Sequence, residues 1–358
     1  MTRTPQTPTS PGIDPEPPAE PPAETRRARA EPVTFALAMR PASLAPRLFG
    51  PELQELTAGH RTRQLGGVLA EYGSPAARSA LAGAEVLITG WGAPGLTEQD
   101  LAAAPRLRYL LHTGGAAASL LPPGARRRGI QAANAGLANA VPVAEYTIAM
   151  IVLANKAAFR SRDLYRLRRT RIDREEEYPL AGNIGRTVGV VGASRIGRAV
   201  IERLAAFDLD VALYDPYLTP DQAAALGARL LPLDELMRVS DVITLHPPLN
   251  GETTGMIGRA QLARIRDGAM LINTSRGAVV DQDALVDELR SGRIDAVIDV
   301  TQPDVLAPDH VLYDLPNVFL TPHIAGSMGL ELRRMGRQVG AELARIVRGE
   351  PLAHPEEL

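Results

Sequence analysis

The chain has no cysteine among its 358 residues, which removes disulfides, thiolate nucleophiles and cysteine-ligated zinc together. Lysine is almost as scarce: Lys156 is the only one, so Schiff-base chemistry has nowhere else to sit. Neither sign of charge dominates, and a net charge of −2 argues against a nucleic acid or a membrane surface as the main partner. The six histidines (His60, His112, His246, His310, His323 and His354) include no pair at metal-ligand spacing, so no metal site is expected. Long apolar runs are missing too; the stretch around Ile148 to Ala154 is far too short to span a bilayer. These absences predict a soluble, cytoplasmic protein with no membrane or nucleic-acid partner.

The first residues differ from all that follow. Met1 to Glu31 is rich in proline, threonine, glutamate and arginine and has almost no large apolar side chains. Such a segment cannot bury enough surface to offset its ordering entropy, which predicts a disordered tail over 1–31. It lacks the apolar core of a signal peptide, and Glu16, Glu20 and Glu24 count against a transit peptide. From Val33 onward the pattern is periodic. Strands are expected at Val33–Met39, Glu85–Thr89 and Leu107–Leu111, with helical stretches between them. A long helix is expected from Val141 to Arg160, capped by Asn139 and with Pro142 in its first turn. Further strands are expected at Asp241–Leu245, Ala269–Asn273, Ile294–Val300 and Val318–Leu320. A closing helix from about Leu330 to Arg348 is expected to return to the first domain. The arginine run from Arg160 to Arg174 is interleaved with Asp163, Asp173 and Glu175 to Glu177, and reads as a solvated or subunit-facing segment.

The densest signal is TVGVVGASRIGRAVIERLAAFDLDVALYD, from Thr187 to Asp215. Thr187–Val191 has the length and β-branched content of a buried parallel strand. It breaks at Gly192, and a helix follows with Ile196, Val200, Ile201 and Leu204 on one face. A second strand, Val211–Tyr214, ends in an acid 23 positions beyond Gly192. Strand, glycine turn, helix, strand and carboxylate make a dinucleotide-binding βαβ unit, in which a helix N-terminus faces the pyrophosphate and the acid meets a ribose diol. The middle glycine of the usual Gly-x-Gly-x-x-Gly is Ser194 in Gly192-Ala193-Ser194-Arg195-Ile196-Gly197, small enough for close approach and able to donate to a phosphate oxygen. Asp215-Pro216-Tyr217-Leu218 offers no cation to a 2′-phosphate, so NAD is favoured over NADP.

Three further constellations carry chemistry. Arg276, in Asn273-Thr274-Ser275-Arg276-Gly277, follows a strand, and its planar fork suits a carboxylate. His323, in Pro322-His323-Ile324-Ala325-Gly326, also follows a strand end and can act as a general acid near neutral pH. Asp304 stands nineteen residues before it, where a carboxylate would favour the protonated imidazole.

With these residues in view, the chain from about Val33 onward resembles the D-isomer-specific 2-hydroxyacid dehydrogenases, the group of hydroxypyruvate/glyoxylate reductases, phosphoglycerate dehydrogenase and formate dehydrogenase. The motifs that carry the likeness are Val143-Ala144-Glu145, VGVVGASRIGR, His246-Pro247-Pro248-Leu249 before Glu252-Thr253, NTSRG, Asp299-Val300 and LPNVFLTPHIAG. The resemblance implies an α/β fold of two Rossmann-like domains, the coenzyme domain a doubly wound parallel sheet, with the active site in the cleft between them. The substrate domain would comprise 32–138 plus 323–358 and the NAD-binding domain 139–322, with homodimerisation through the long helix. It implies that Arg276 binds the carboxylate and keto oxygen of a 2-oxo acid, that His323 exchanges the proton, and that Asp304 stands where the family has glutamate. Asp299 would hold the carboxamide; Arg195 and Ile196 would lie along the pyrophosphate, with Pro247 and Thr274 also against the coenzyme. Gly114, Gly115 and Ala116 would offer backbone N–H groups to the substrate carboxylate.

Aspartate at 304 is one methylene, roughly 1.5 Å, shorter than glutamate. That predicts a looser or water-bridged contact with His323 and a lower imidazole pKa. Ala117, Ala118 and Ser119 replace acidic or amide residues after the glycine loop and, with Trp91 and His112, leave the pocket's preference open. Two other functions stand beside the oxidoreductase: an NAD(H)-binding regulator or scaffold of the same fold, and formate oxidation. The latter is weakened because that branch places an amide where Asp304 stands.

Overall fold

The computed structural model describes residues 31–58 and 61–357, so the expectation for the tail lies, Glu31 apart, outside the described residues. The strands in chain order are β1 (Val33–Ala38), β2 (Thr62–Leu69), β3 (Val86–Thr89), β4 (Tyr109–His112), β5 (Gln131–Asn134), β6 (Arg186–Val191), β7 (Leu209–Tyr214), β8 (Arg229–Leu230), β9 (Val242–Leu245), β10 (Met270–Asn273), β11 (Asp295–Ile298), β12 (Val318–Leu320) and β13 (Pro355–Glu356). Five helices matter for the site: α1 (Leu44–Ala58), α2 (Gly136–Asn155), α3 (Ala158–Arg168), α4 (Arg195–Leu204) and α5 (Leu332–Val347).

The strands form two sheets. One has the order β13-β5-β4-β3-β1-β2, parallel except for β13; the other has the order β12-β11-β10-β9-β6-β7-β8 and is parallel throughout. Parallel strands covered by helices on both faces read as unbroken apolar runs, and Val188, Val190, Val191, Val242, Ile243, Leu271, Ile272 and Val297 are all buried. Each sheet reverses its strand order once, between β1 and β3 and between β6 and β9. In open α/β sheets the ligand crevices lie beyond the strand carboxyl ends at such reversals.

The long helix departs from expectation. It begins at Gly136, and Asn139 lies inside it: Asn139 Oδ1 accepts the Ser327 N–H at 2.8 Å instead of capping anything. The helix start is set by Asn134, whose Oδ1 accepts from Gly136 N at 2.9 Å, and by Gln338 Oε1, which accepts from Ala138 N at 2.9 Å. Asn134 lies only two residues before Gly136, whereas Gln338 is a tertiary partner that no local pattern could reveal. Pro142 consequently sits within the helix, and the expected domain boundary at 138/139 falls inside it. The expected single helix to Arg160 is in fact two, broken where Ala157 adopts a left-handed φ of 52°. At 20 residues α2 is long and apolar enough to cross a membrane by length and composition, a property the shorter run read from sequence concealed. Its residues Val143, Ala144, Thr147 and Ile151 are buried within the fold, as in a core helix.

The remaining strand expectations agree within two residues, but β2, β5 and the two-residue strands β8 and β13 lie outside them. β2 contains Gly66-Gly67 and pairs with β1 across a register shift; β5 is the weak β-former run Gln-Ala-Ala-Asn. α5 does return to the first sheet. It lies so close to α1 that a Cβ on Gly336 would stand 2.0 Å from the Leu48 carbonyl oxygen.

Candidate active site

The coenzyme loop is built at the β6/β9 reversal. Gly192 holds φ 91°, and a Cβ there would come within 2.9 Å of Pro247 N, so the loops after β6 and β9 touch only because glycine stands at 192. A Cβ on Gly197 would stand 2.0 Å from Gly192 O, which makes glycine obligatory where α4 folds back on the strand. Ser194 has taken on a defined task as the N-cap of α4, its Oγ accepting from Gly197 N at 3.3 Å. Its hydroxyl hydrogen remains to be donated outward. Asp215 binds the loop it was expected to complement: Oδ2 accepts from Ala193 N at 2.8 Å and Oδ1 from Tyr217 N at 2.9 Å. Tyr217 in turn donates to Glu252 Oε2 at 2.9 Å, which adds a second carboxylate at this end of the crevice. Positive helix end, close backbone approach and terminal carboxylate together fit a dinucleotide.

The acid–base pair is formed. His323 Nδ1 lies 3.3 Å from Asp304 Oδ1, so the shortened side chain reaches directly, at the long end of hydrogen bonding, rather than through water. About half of the imidazole is exposed, and Nε2 is left for a substrate. His323 sits at φ 56°, a conformation that costs a non-glycine residue about 1–2 kcal/mol and persists only where its surroundings over-determine it. Asp299 supplies that constraint. Buried to 2% exposure, it accepts from Thr321 Oγ1 at 2.6 Å, Ile324 N at 2.8 Å and Ala325 N at 2.9 Å, while its carbonyl accepts from His323 N at 2.9 Å. The carboxylate expected to hold a carboxamide is thus chiefly engaged in fixing the His323 loop. Tyr146, from α2, extends the chain: its hydroxyl lies 3.0 Å from Thr321 Oγ1. Because Thr321 donates to Asp299, Tyr146 must be the donor.

Arg276 follows β10 in extended backbone and is exposed, with Nη1 donating to Ser275 O at 2.7 Å. Its loop is stiffened by buried Asn273, which accepts from Ser275 N and Oγ and donates to Arg276 O. A Cβ on Gly277 would lie 2.2 Å from Thr301 C, so glycine lets the loops carrying Arg276 and Asp304 come together. Thr274 is buried, and its Oγ1 lies 3.3 Å from Thr147 Oγ1 of α2. Ile196 is half-buried at the start of α4.

The glycine loop after β4 belongs to the other sheet and approaches the coenzyme loop, a Cβ on Gly136 standing 2.8 Å from Arg195 Nη1 and 3.5 Å from Gly115 O. A Cβ on Gly114 would stand 2.2 Å from His112 Nε2, whereas Gly115 is open and exposed, as is Ala116. Two residues missed in the sequence hold this loop. Glu356, in β13, accepts from Ala117 N at 2.8 Å, Ala118 N at 3.0 Å and Asn134 Nδ2 at 2.6 Å. Asn134 Oδ1 also faces Arg195 Nη1 at 3.5 Å, linking the two sheets at the coenzyme loop. No local pattern announces Glu356, whose partners lie 222 or more positions away, and Asn134, apart from its local bond to Gly136, reaches partners 61 and 222 positions away.

Two buried histidines flank the site. Burial pushes His246 down to about 3 and His112 down to about 4, the latter opposed in part by the Glu356 charge. Both are therefore neutral in the fold, while the unfolded chain protonates near 6.5. Above that value neither state gains a proton and stability is unaffected. Below it the unfolded state binds protons that the fold refuses, so stability falls with pH by about 2 kcal/mol per histidine at pH 5. Urea midpoints at pH 7.5 and 5.0 measure this, and His246→Gln should remove about half of the histidine-linked difference.

A two-domain nucleotide-binding fold with a positioned imidazole, a carboxylate partner and an arginine on the adjoining loop defines the class. Residues 148–325 match the family model for the D-isomer specific 2-hydroxyacid dehydrogenase NAD binding domain. Glyoxylate reductase of Korarchaeum cryptofilum is 34% identical over 250 residues, covering 69% of this chain and 75% of that protein. D-3-phosphoglycerate dehydrogenase of Mycobacterium tuberculosis is 35% identical over 256 residues, 70% of this chain; the match spans 47%, about half, of that relative's length. Among solved structures, D-lactate dehydrogenase from Aquifex aeolicus, complexed with NAD and lactic acid, superposes with a TM-score of 0.69 at 28% identity, covering 89% of this chain and 96% of that one. The chain belongs to the D-isomer specific 2-hydroxyacid dehydrogenase family.

Proposed function

We propose that this protein is an NAD(H)-dependent oxidoreductase that interconverts a 2-oxo acid and the corresponding D-2-hydroxy acid. The observation that carries this reading is His323, held in a strained backbone conformation by Asp299 and paired with Asp304, whose loop packs through Thr301 against the Gly277 of the Arg276 loop. Gly192, Ser194, Arg195, Gly197 and Asp215 would hold the dinucleotide, whose nicotinamide, when bound, supplies or accepts the hydride. Arg276 and the N–H groups of Gly114, Gly115 and Ala116 bind the substrate carboxylate. Protonated His323 donates from Nε2 to the C2 oxygen as negative charge develops there, and neutral His323 takes the proton back in the reverse direction. Asp304 orients the ring through Nδ1, and Arg276 adds positive charge beside the same oxygen.

The test follows absorbance of NADH, with NADPH in parallel, against a panel of 2-oxo acids. Oxidation of NADH by at least one acid, with NADPH slower because Asp215 and Glu252 repel a 2′-phosphate, is the expected result. Tight NADH binding with silence across the panel would instead support the regulatory reading. The exposed apolar residues Leu137 and Leu153 on α2 favour a homodimer, which sedimentation at micromolar concentration would test.

Glu356→Gln tests the loop's support. An amide replaces one oxygen that now receives a backbone N–H, and losing one hydrogen bond to a charged group is worth about 1.5–3 kcal/mol. KM for the oxo acid should rise at least tenfold with NADH affinity within about threefold of the parent, read from steady-state kinetics and titration.

A further inference from the structure

On that oxidoreductase reading, we propose that the preferred 2-oxo acid carries an uncharged, apolar C3 substituent, and that Trp91 is the residue that selects it.

The argument begins at the β1/β3 reversal, where the first sheet opens its own crevice. Trp91 follows β3 there and is 41% exposed, an amphipathic ring left unburied at a ligand-binding edge. The loops after β3 and β4 run side by side and are tied at both ends. Thr113 N and Oγ1 both donate to Thr89 O, at 2.8 and 3.1 Å, and Leu96 N donates to Leu120 O at 2.8 Å. A Cβ on Gly90 would stand 3.2 Å from Thr113 Oγ1, so Trp91 on one loop and Gly114 on the other each follow directly on the point where the two loops touch, at the start of the loop that would bind the carboxylate. Gly92 holds φ 69° with its Cβ position 2.7 Å from Arg40 O, which pins the backbone on one side of the indole. On the neighbouring loop Gly115 has nothing within 4 Å of a Cβ, leaving open space there for a substituent.

Charge on this wall excludes the alternatives. The loops 90–96 and 113–121 contain no lysine, arginine or histidine. Arg40 is the nearest cation in sequence register, since its N–H donates to Trp91 O at 2.9 Å. Its side chain is drawn the other way: Nε donates to Ala70 O at the end of β2, across β1 from Trp91. The N–H groups of Ala117 and Ala118, which could cradle a second anion, are already occupied by the Glu356 carboxylate. A phosphate or second carboxylate on C3 would therefore meet an indole and a fixed negative charge, with no counter-ion from this wall. An alkyl or aryl group would cover the indole and gain its burial.

The test compares kcat/KM for phenylpyruvate and 4-methyl-2-oxopentanoate with that for phosphohydroxypyruvate, 2-oxoglutarate and glyoxylate. The apolar acids should exceed the two doubly charged ones at least tenfold. In Trp91→Ala the ratio of kcat/KM for phenylpyruvate over glyoxylate should fall at least tenfold, and Trp91→Phe should restore most of it. A doubly charged acid as best substrate, or a Trp91→Ala variant with an unchanged ratio, overturns the proposal. Binding gives a readout independent of turnover, because Trp91 is the single tryptophan of the chain. With NADH present, phenylpyruvate should quench its emission at lower concentration than phosphohydroxypyruvate does. Quenching in that order without NADH oxidation would refute the oxidoreductase reading and leave the pocket assignment standing; the reverse order would refute the pocket assignment.

Discussion

Replacing His323 with alanine is expected to lower kcat about a thousandfold while leaving NADH affinity within about threefold of the parent. A positioned general acid contributes about 10²–10⁴ in rate, or roughly 3–5 kcal/mol of barrier. The upper half of that range applies here because the His323 ring is half exposed with Nε2 left for a substrate, whereas His112 and His246 are buried and held neutral. The coenzyme loop shares no hydrogen bond with the His323 side chain, so binding should survive. The decisive comparison is single-turnover NADH oxidation against NADH fluorescence titration. A kcat within tenfold of the parent would show that another group delivers the proton. The same loop offers an internal control: Asp304→Asn removes the charge behind the imidazole but not its contact, and should reduce kcat less than loss of the ring does.

Arg276→Ala is expected to lower kcat/KM about 10²–10³-fold, with KM rising more steeply than kcat falls. The guanidinium is asked to make charge-assisted hydrogen bonds to a carboxylate, and truncating one partner of such a pair costs about 2–5 kcal/mol. Part of the loss should appear in kcat, because positive charge beside the C2 oxygen matters more as that oxygen becomes anionic. Arg276→Lys keeps the charge and gives up the planar fork, so it should recover only part of the loss. Saturation kinetics that stay unchanged in Arg276→Ala would remove it from the site. Both variants should melt close to the parent, since the Arg276 and His323 side chains are exposed and neither truncation opens a buried cavity.

The chemistry was legible in the sequence because it is local. A glycine turn between a β-branched strand and an amphipathic helix, with an acid at the next strand end, is written within 29 residues, Thr187 to Asp215, and periodicity alone identifies it. Arg276 and His323 were found in the same way, each just past the carboxyl end of an apolar strand. The sequence by itself therefore determined the fold class and the coenzyme loop, and it named the candidate reacting groups that the proposed function rests on.

What holds those groups in place was decided elsewhere. The start of α2 depends on Asn134 and on Gln338, two hundred positions from Ala138, so the local cap signal at Asn139 misled. Asp299 became the anchor of the His323 loop through donors 22 to 26 residues away, and Glu356 reached back 238 and 239 residues to Ala118 and Ala117. The physical reason is the same in each case. Backbone N–H groups at loop and helix starts must find acceptors. Where no neighbour along the chain supplies one, only the folded arrangement of the two sheets decides which distant carboxylate or amide will.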